Sequence, residues 1–264
     1  MQIGKIRIAQ GQPKILGVLN ISPESFFTDS FTPIRQLLHR VEQMRRDGAD
    51  IIDLGARSTA LNALPLSVAE EKSRVTAALA ELKDADIPFS LDTMHAEVLE
   101  AALRFDIAAV NDISGLLHPA FAHLAADSGL PVICMASQKT PGDALSFAET
   151  KAACAAVLDR AAAYEIENLI LDPGVGRWSE ARTSEADWEL CRRFGELKTF
   201  GRPLLAAVSR KAFIGTALGR EPQERLAGTL GVEFALCEAG ADLLRVHDVA
   251  AARDIIAVFE KLRR

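Results

Sequence analysis

The chain has 264 residues, with 30 Lys+Arg against 36 Asp+Glu and a formal net charge of −6. Hydrophobic residues at 49% and charged residues at 25% are ordinary for a folded globular protein and exclude a disordered chain, a collagen-like repeat and a disulfide-held miniprotein. The acidic balance argues against a nucleic-acid binder, whose domains are usually basic. Cys134, Cys154, Cys191 and Cys237 form no CxxC pair and have no His at zinc spacing. They read as small buried apolar residues in a reducing compartment. The opening residues MQIGKIRIAQGQPK carry no apolar signal-peptide core, and no apolar run reaches the ~18 residues that cross a bilayer. The expected location is the cytoplasm, with no membrane partner.

In chain order, residues 2–8 alternate as a short hairpin, placed to plug one end of the fold. Short, almost continuously apolar runs follow at 15–20, 51–54, 88–92, 109–112, 132–135, 169–172, 204–208 and 243–246. That is the pattern of strands buried on both faces of a parallel sheet. Between them, apolar residues recur at i, i+3, i+4 and i+7 over 34–46, 68–82, 96–105, 119–128, 147–164, 184–194, 222–239 and 250–262, predicting helices. Ser67 and Glu70 read as a capping box opening the second of them. Strand starts recur every ~33 residues, the length of one βα unit. Eight such units predict one α/β domain over 1–264, a single (β/α)8 barrel with a short N-terminal β-hairpin. A doubly wound open sheet is the runner-up, but it would carry a Gly-rich phosphate turn after its first strand, where this chain has NISPESF.

Active sites of such barrels lie at the C-terminal ends of the strands. Those positions hold Asn20, Asp53, Asp92 with Thr93, Asn111 with Asp112, Asp172, Ser209-Arg210-Lys211, and Arg245 with His247 and Asp248. A single polar residue at a strand end is ordinarily a turn residue, but almost every strand here ends in one. Asp92, Asn111, Asp172 and Lys211 together offer acceptors and donors to a planar, nitrogen-rich heterocycle, since a carboxylate accepts two N–H bonds from an amidine-like edge. Arg245 and His247 leave the last strand on alternate residues, hence on one face, and suit a phosphate or diphosphate. Asn20 adds an oxygen ligand for Mg²⁺, which keeps several waters and bridges substrate phosphates. The residues alone thus indicate a heterocycle held beside a diphosphate leaving group.

Seven segments, LGVLNISPESF (16–26), DGADIIDLGARST (47–59), SLDT (90–93), VNDISG (110–115), LILDPGVG (169–176), VSRKAFIG (208–215) and RVHDV (245–249), resemble the dihydropteroate synthase family over nearly the whole chain. The resemblance implies condensation of 6-hydroxymethyl-7,8-dihydropterin diphosphate with 4-aminobenzoate, releasing pyrophosphate, with Mg²⁺ as cofactor and no covalent enzyme intermediate. By matching position, Asp92, Asn111, Asp172 and Lys211 would hold the pterin, Asn20 would ligate Mg²⁺, and Asn20, Arg245 and His247 would bind the diphosphate. Asp92, Lys211, Arg245 and His247 would be the catalytic set. Asp53 falls where the family places another carboxylate, Phe26 lies in a loop that would close over the substrates, and the arylamine pocket would take Ser58, Thr59, Arg57, Arg177 and Ala212. Family members are commonly homodimers through their last helices, for which Phe234, Ile255 and Phe259 are candidates.

The chain departs from the family pattern in four places. Ala56-Arg57-Ser58-Thr59-Ala60-Leu61-Asn62 replaces Gly-Glu-Ser-Thr-Arg-Pro-Gly, Met135-Ala136-Ser137 replaces Met-His-Met, Gly176-Arg177-Trp178-Ser179 replaces Gly-Phe-Gly-Lys, and Ala212 replaces a Ser. These changes bring Arg57, Lys139 and Arg177 to catalytic-face loops and are similar to the archaeal, methanopterin-linked branch. There the arylamine carries a ribofuranosyl 5-phosphate, which the added cations would bind. A catalytically silent pterin-binding paralogue is the other alternative. The altered loops also make ordinary sulfonamide binding doubtful.

Overall fold

The computed structural model describes residues 1–22, 31–57 and 65–263. Two short strands, β1 (Gln2–Ile3) and β2 (Ile6–Arg7), pair antiparallel as the predicted hairpin. Eight parallel strands follow: β3 (Lys14–Asn20), β4 (Ile51–Gly55), β5 (Phe89–Asp92), β6 (Ala109–Asp112), β7 (Val132–Met135), β8 (Leu169–Asp172), β9 (Leu205–Ala206) and β10 (Leu243–Val246). They lie side by side in the order β8-β7-β6-β5-β4-β3-β10-β9. The ring closes where the Leu171 N–H donates to the Pro203 carbonyl at 2.9 Å and Leu171 bridges Leu204. This is the expected (β/α)8 barrel.

The helices are α1 (Leu37–Arg46), α2 (Val68–Glu81), α3 (Ala96–Ala102), α4 (Pro119–Ser128), α5 (Phe147–Ala163), α6 (Ser184–Arg192), α7 (Ala212–Leu218), α8 (Leu226–Glu238) and α9 (Val249–Leu262). The Ser67 hydroxyl caps α2 by accepting from the Glu70 N–H at 3.2 Å. Two expectations shift. The seventh strand, predicted over 204–208, keeps only two ladder residues, because the chain turns at Val208, whose carbonyl accepts from the Lys211 N–H. The short α7, ended at Gly219 with φ +63°, is a helix that the periodicity did not mark.

Inward-facing residues alternate along each strand. The N-terminal half of the barrel interior is apolar: Leu16, Ile51, Ala109, Ile133, Ile170, Leu205 and Leu243 pack with Ile3 and Ile8 of the hairpin. The hairpin therefore plugs that end, as its alternation predicted. Two residues further along the same strands the interior turns polar, with Asp53 after Ile51, Asp172 after Ile170 and Arg245 after Leu243. The apolar floor keeps water from entering below and lowers the local dielectric in which these charges interact.

Outside the barrel wall, Glu233 on α8 is buried, and its Oε2 has no hydrogen-bond partner among the described residues. Burial, with Asp248 adding repulsion, pushes its carboxyl up to about 8. A carboxyl raised in the folded state stabilises fully below its unfolded value, and that stability is lost as pH rises toward the folded value. Glu233→Gln should therefore melt close to wild type at pH 5 and clearly above it at pH 8.5, measured by paired thermal scans. Equal differences at the two pH values would show that Glu233 is ionised throughout.

Candidate active site

The polar strand ends meet at the C-terminal mouth of the barrel. Arg245 of β10 reaches across it: Nε donates to Asp53 Oδ2 of β4 at 2.6 Å, and Nη2 donates to Asp92 Oδ2 of β5 at 2.6 Å. Asn111 of β6 donates to the same Asp53 oxygen at 3.0 Å. Asp53 Oδ1 and Ser90 Oγ are buried with no partner among the described residues. The two residues are direct neighbours in the β4–β5 register. Ser90 is thus a site residue that the sequence reading passed over, since it lies below the strand end.

Burial pushes the Asp92 carboxyl up to about 7, against the pull of Arg245 and with Asp53 adding repulsion. Asp172 is raised for the same first reason, opposed by Lys211, while its Oδ1 accepts from the Gly174 N–H at 2.8 Å. Lys211 is the reverse case: burial lowers its ammonium to about 8, while Asp172 and Asp187 support the charge. Its Nζ donates to the Val175 carbonyl. Burial opposes the charge on Arg245 too, but Asp53 and Asp92 outweigh it and hold the guanidinium above its ordinary range.

His247 stands beside Ser209, with Nδ1 3.1 Å from its Oγ. Burial and then Arg245 push the imidazole down to about 3, so it is neutral at pH 7. The Arg210 guanidinium below grips Asp248 through two 2.8 Å bonds and the carbonyls of Pro222 and Gln223 at 2.9 and 2.7 Å. Arg210 takes φ +56°, uncommon for a residue with a side chain, and this turn delivers Lys211 to the mouth.

The structure brings together Asn20, Asp53, Asp92, Asn111, Asp172, Lys211, Arg245 and His247 on the strand ends or the turns beside them. Phe26, Ser58 and Thr59 lie outside the described residues. Arg57 differs from its expected part as a phosphate-binding cation of the arylamine pocket: it binds Glu71 of α2 at 2.7 Å, and that carboxylate is buried. Glu71 also accepts from Thr93 Oγ1 at 2.6 Å and lies 3.0 Å from His95 Nδ1. Arg177 and Ala212 are exposed. Asn20 Oδ1 accepts from the Ser22 N–H at 2.9 Å. Among the described residues no three His, Cys, Asp or Glu side chains gather as a metal cluster.

Residues 16–247 match the family of pterin binding enzymes. A dihydropteroate synthase of Synechocystis sp. is 37% identical over 265 residues, covering 95% of this chain and 90% of the relative. The chain belongs to the dihydropteroate synthase family. A dihydropteroate synthase from Clostridium difficile, solved in the presence of pteroic acid, matches with a TM-score of 0.87 and 32% identity over 98% of this chain and 99% of that one. Another from Xanthomonas albilineans, solved with 4-aminobenzoic acid, matches at 0.84 and 31%, covering 96% and 93%. Within the dihydropteroate synthase family, this chain's polar strand ends are organised around one guanidinium. Arg245→Met should therefore raise the Asp92 midpoint above its wild-type value of about 7 by one pH unit or more, on the order of a lost buried counter-ion, read by carboxyl-carbon NMR. An unchanged midpoint would show that Arg245 does not compensate Asp92.

Proposed function

We propose that the chain condenses 6-hydroxymethyl-7,8-dihydropterin diphosphate with 4-aminobenzoate, forming dihydropteroate and releasing pyrophosphate. The observation that carries this reading is the set of buried Asp53, Asn111 and Asp172 with half-buried Asp92, Lys211 and Arg245 in one barrel mouth. Carboxylates and an amide offer paired acceptors and donors to the amidine edge of a pterin. Arg245, with five N–H donors and two of them on carboxylates, has others to give a diphosphate. Pteroic acid and 4-aminobenzoic acid, with which the relatives were solved, are a joined and a free form of the same arylamine.

In this reading, Asp92 stabilises the positive charge that develops on the pterin methylene as the C–O bond breaks ahead of amine attack. Arg245 and neutral His247 receive the departing diphosphate, and Lys211 and Asp172 hold the ring. A carboxamide oxygen is a hard donor at the strand end, so Asn20 Oδ1 suits a hard cation. With no dedicated cluster among the described residues, the fit is to Mg²⁺ that arrives with the diphosphate. Mg²⁺ would supply charge neutralisation on the leaving group.

Two observations favour 4-aminobenzoate over its ribosylated 5-phosphate. Arg57 is committed to buried Glu71, which removes the first of the added cations, and the relatives described above are bacterial. The free thiols of all four cysteines accord with a reducing cytoplasm. Pairing of two copies through the last helices belongs to the same reading. The structure turns Phe259 inward against Phe234, so Val258 and Leu262, 51% and 70% exposed, are the apolar residues α9 offers a partner.

Pyrophosphate release tests the proposal. With Mg²⁺ and 4-aminobenzoate, kcat/KM should peak between limbs near 7, for ionised Asp92, and near 8, for protonated Lys211. Asp92→Asn should lower it at least ~10²-fold, the usual loss of one electrostatic stabiliser, and erase the acid limb. Release that depends only on the phosphorylated amine would replace this reading with the ribosylated one. Chelating Mg²⁺ and Asn20→Ala should each raise KM for the diphosphate substrate, and the two effects should not add. Full additivity in that comparison would remove Asn20 as the ligand.

A further inference from the structure

Two of the loops that carry departures from the family pattern, those after β7 and β8, meet in space. Trp178, in the loop after β8, lies over Gly142 in the loop after β7, and a β-carbon on Gly142, which has φ +69°, would fall within the indole. The indole Nε1 donates to the Gly174 carbonyl at 2.9 Å, and the Trp178 N–H donates to the Gly176 carbonyl at 3.0 Å. The ring is therefore held at both its side chain and its backbone. Lys211 Nζ stands 5.5 Å from its centroid, within the range at which an aromatic face attracts a cation. A β-carbon at Gly176 would sit 2.8 Å from Lys211 Cδ. Gly176 is itself pinned by its N–H bond to Asp187 Oδ1 at 2.8 Å, and Arg182 grips the same oxygen at 2.9 Å. Gly176 thus lies against the lysine stem, and the Trp178 ring stands near its ammonium.

We propose that Trp178 is the positioning residue of Lys211: its indole, seated on Gly142 and tied to Gly174, fixes where the ammonium stands in the barrel mouth. The indole acts alongside the Nζ bond to the Val175 carbonyl, and its consequence for turnover rests on the function proposed above. The charged and titratable groups around Lys211 are Asp172 on β8, Asp187 and Cys191 on α6, Arg182 before α6, Arg245 on β10 and His247 after it. Of these, Asp172 and Asp187 favour the ammonium and Arg245 and Arg182 oppose it. The indole adds an attraction that belongs to neither loop's charges, and it acts only on the protonated form.

The test is an NMR titration of the Lys211 Cε resonance, assigned by its loss in Lys211→Arg. It would be run on wild type, Trp178→Phe, Trp178→Leu, and a Trp188→Phe protein grown on multiply fluorinated tryptophan, which keeps the ring's shape while weakening its face. The midpoint, about 8 in wild type, should fall by roughly 0.5 to 1 pH unit with leucine or fluorinated tryptophan, a desolvated cation–π contact converted to pH. Phenylalanine, which has a weaker face and no N–H for the Gly174 carbonyl, should fall part of the way. In the turnover assay, the basic limb of kcat/KM should move with the midpoint, and KM for the pterin diphosphate should rise several-fold in Trp178→Leu. Equal midpoints in wild type and the fluorinated protein would overturn the proposal even if Trp178→Leu fails to fold. A shifted midpoint in a wild-type chain that never releases pyrophosphate would instead uphold the positioning role and overturn the proposed reaction.

Discussion

The site depends on the bridge that Arg245 makes between Asp53 and Asp92. Three carboxylates, Asp53, Asp92 and Asp172, converge above an apolar barrel floor, where ionised groups are costly unless paired. The strand register makes the convergence unavoidable. Asp53 and Asp92 lie on adjacent strands, each two residues beyond an inward-facing position, and Arg245 stands two beyond the buried Leu243. One guanidinium with a planar fork of donors can join two carboxylates at once, which a lysine ammonium on a flexible stem would do without fixed geometry. Asn111 completes the arrangement by placing a neutral donor on the oxygen that Arg245 also uses.

Around this centre, arginines hold the catalytic-face loops in place. Arg160 of α5 joins the loops after β6 and β7 by donating to the Gly115 carbonyl at 2.7 Å and the Ser137 carbonyl at 2.5 Å. Arg182 joins the loop after β7 to α6, through the Ala144 carbonyl and Asp187. Arg210 locks the turn that presents Lys211, and Arg57 anchors the start of the loop after β4 to Glu71. Arg160, Arg182 and Arg210 satisfy backbone carbonyls of these loops and Arg57 a buried carboxylate, which is how a loop keeps one geometry at a barrel mouth. A site whose chemistry is electrostatic gains from this rigidity, because its dipoles need no reorganisation as charge develops.

The sequence made the barrel legible because strand and helix signals alternate with a regular period, and the β6, β7, β8 and β10 boundaries come out as read. It also made the strand-end residues legible, since their position follows from the strands themselves. What it left hidden is pairing across the barrel. Arg57 reads as a cation available to a substrate phosphate because Glu71, fourteen residues on, reads as one more polar position of an amphipathic helix. Arg245 and His247, two residues apart on one face, looked like equal anion holders. Their neighbours divide them, leaving one a permanent cation and the other a neutral imidazole. Ser90 hides inside a strand, and Trp178, although it stands in a segment that departs from the family pattern, gives no sign in sequence of its approach to Lys211. The segments 23–30 and 58–64, which hold Phe26, Ser58 and Thr59, lie outside the described residues.

The central bridge has an electrostatic consequence for any ligand that carries both a cationic centre and an anion. Asp92 is balanced between burial, which favours its neutral form, and Arg245, which favours its charge. An anion that draws the guanidinium toward itself weakens that support and moves Asp92 toward protonation. A positive charge arising beside Asp92 does the opposite, and takes over the role Arg245 had given up. Departure of an anion and growth of a cation on one substrate therefore act on Asp92 with opposite signs at nearly the same moment. The carboxylate stays charged through the event only if the new cation forms within its reach, so the same residue that tolerates the resting site favours a transition state in which charge separates across it.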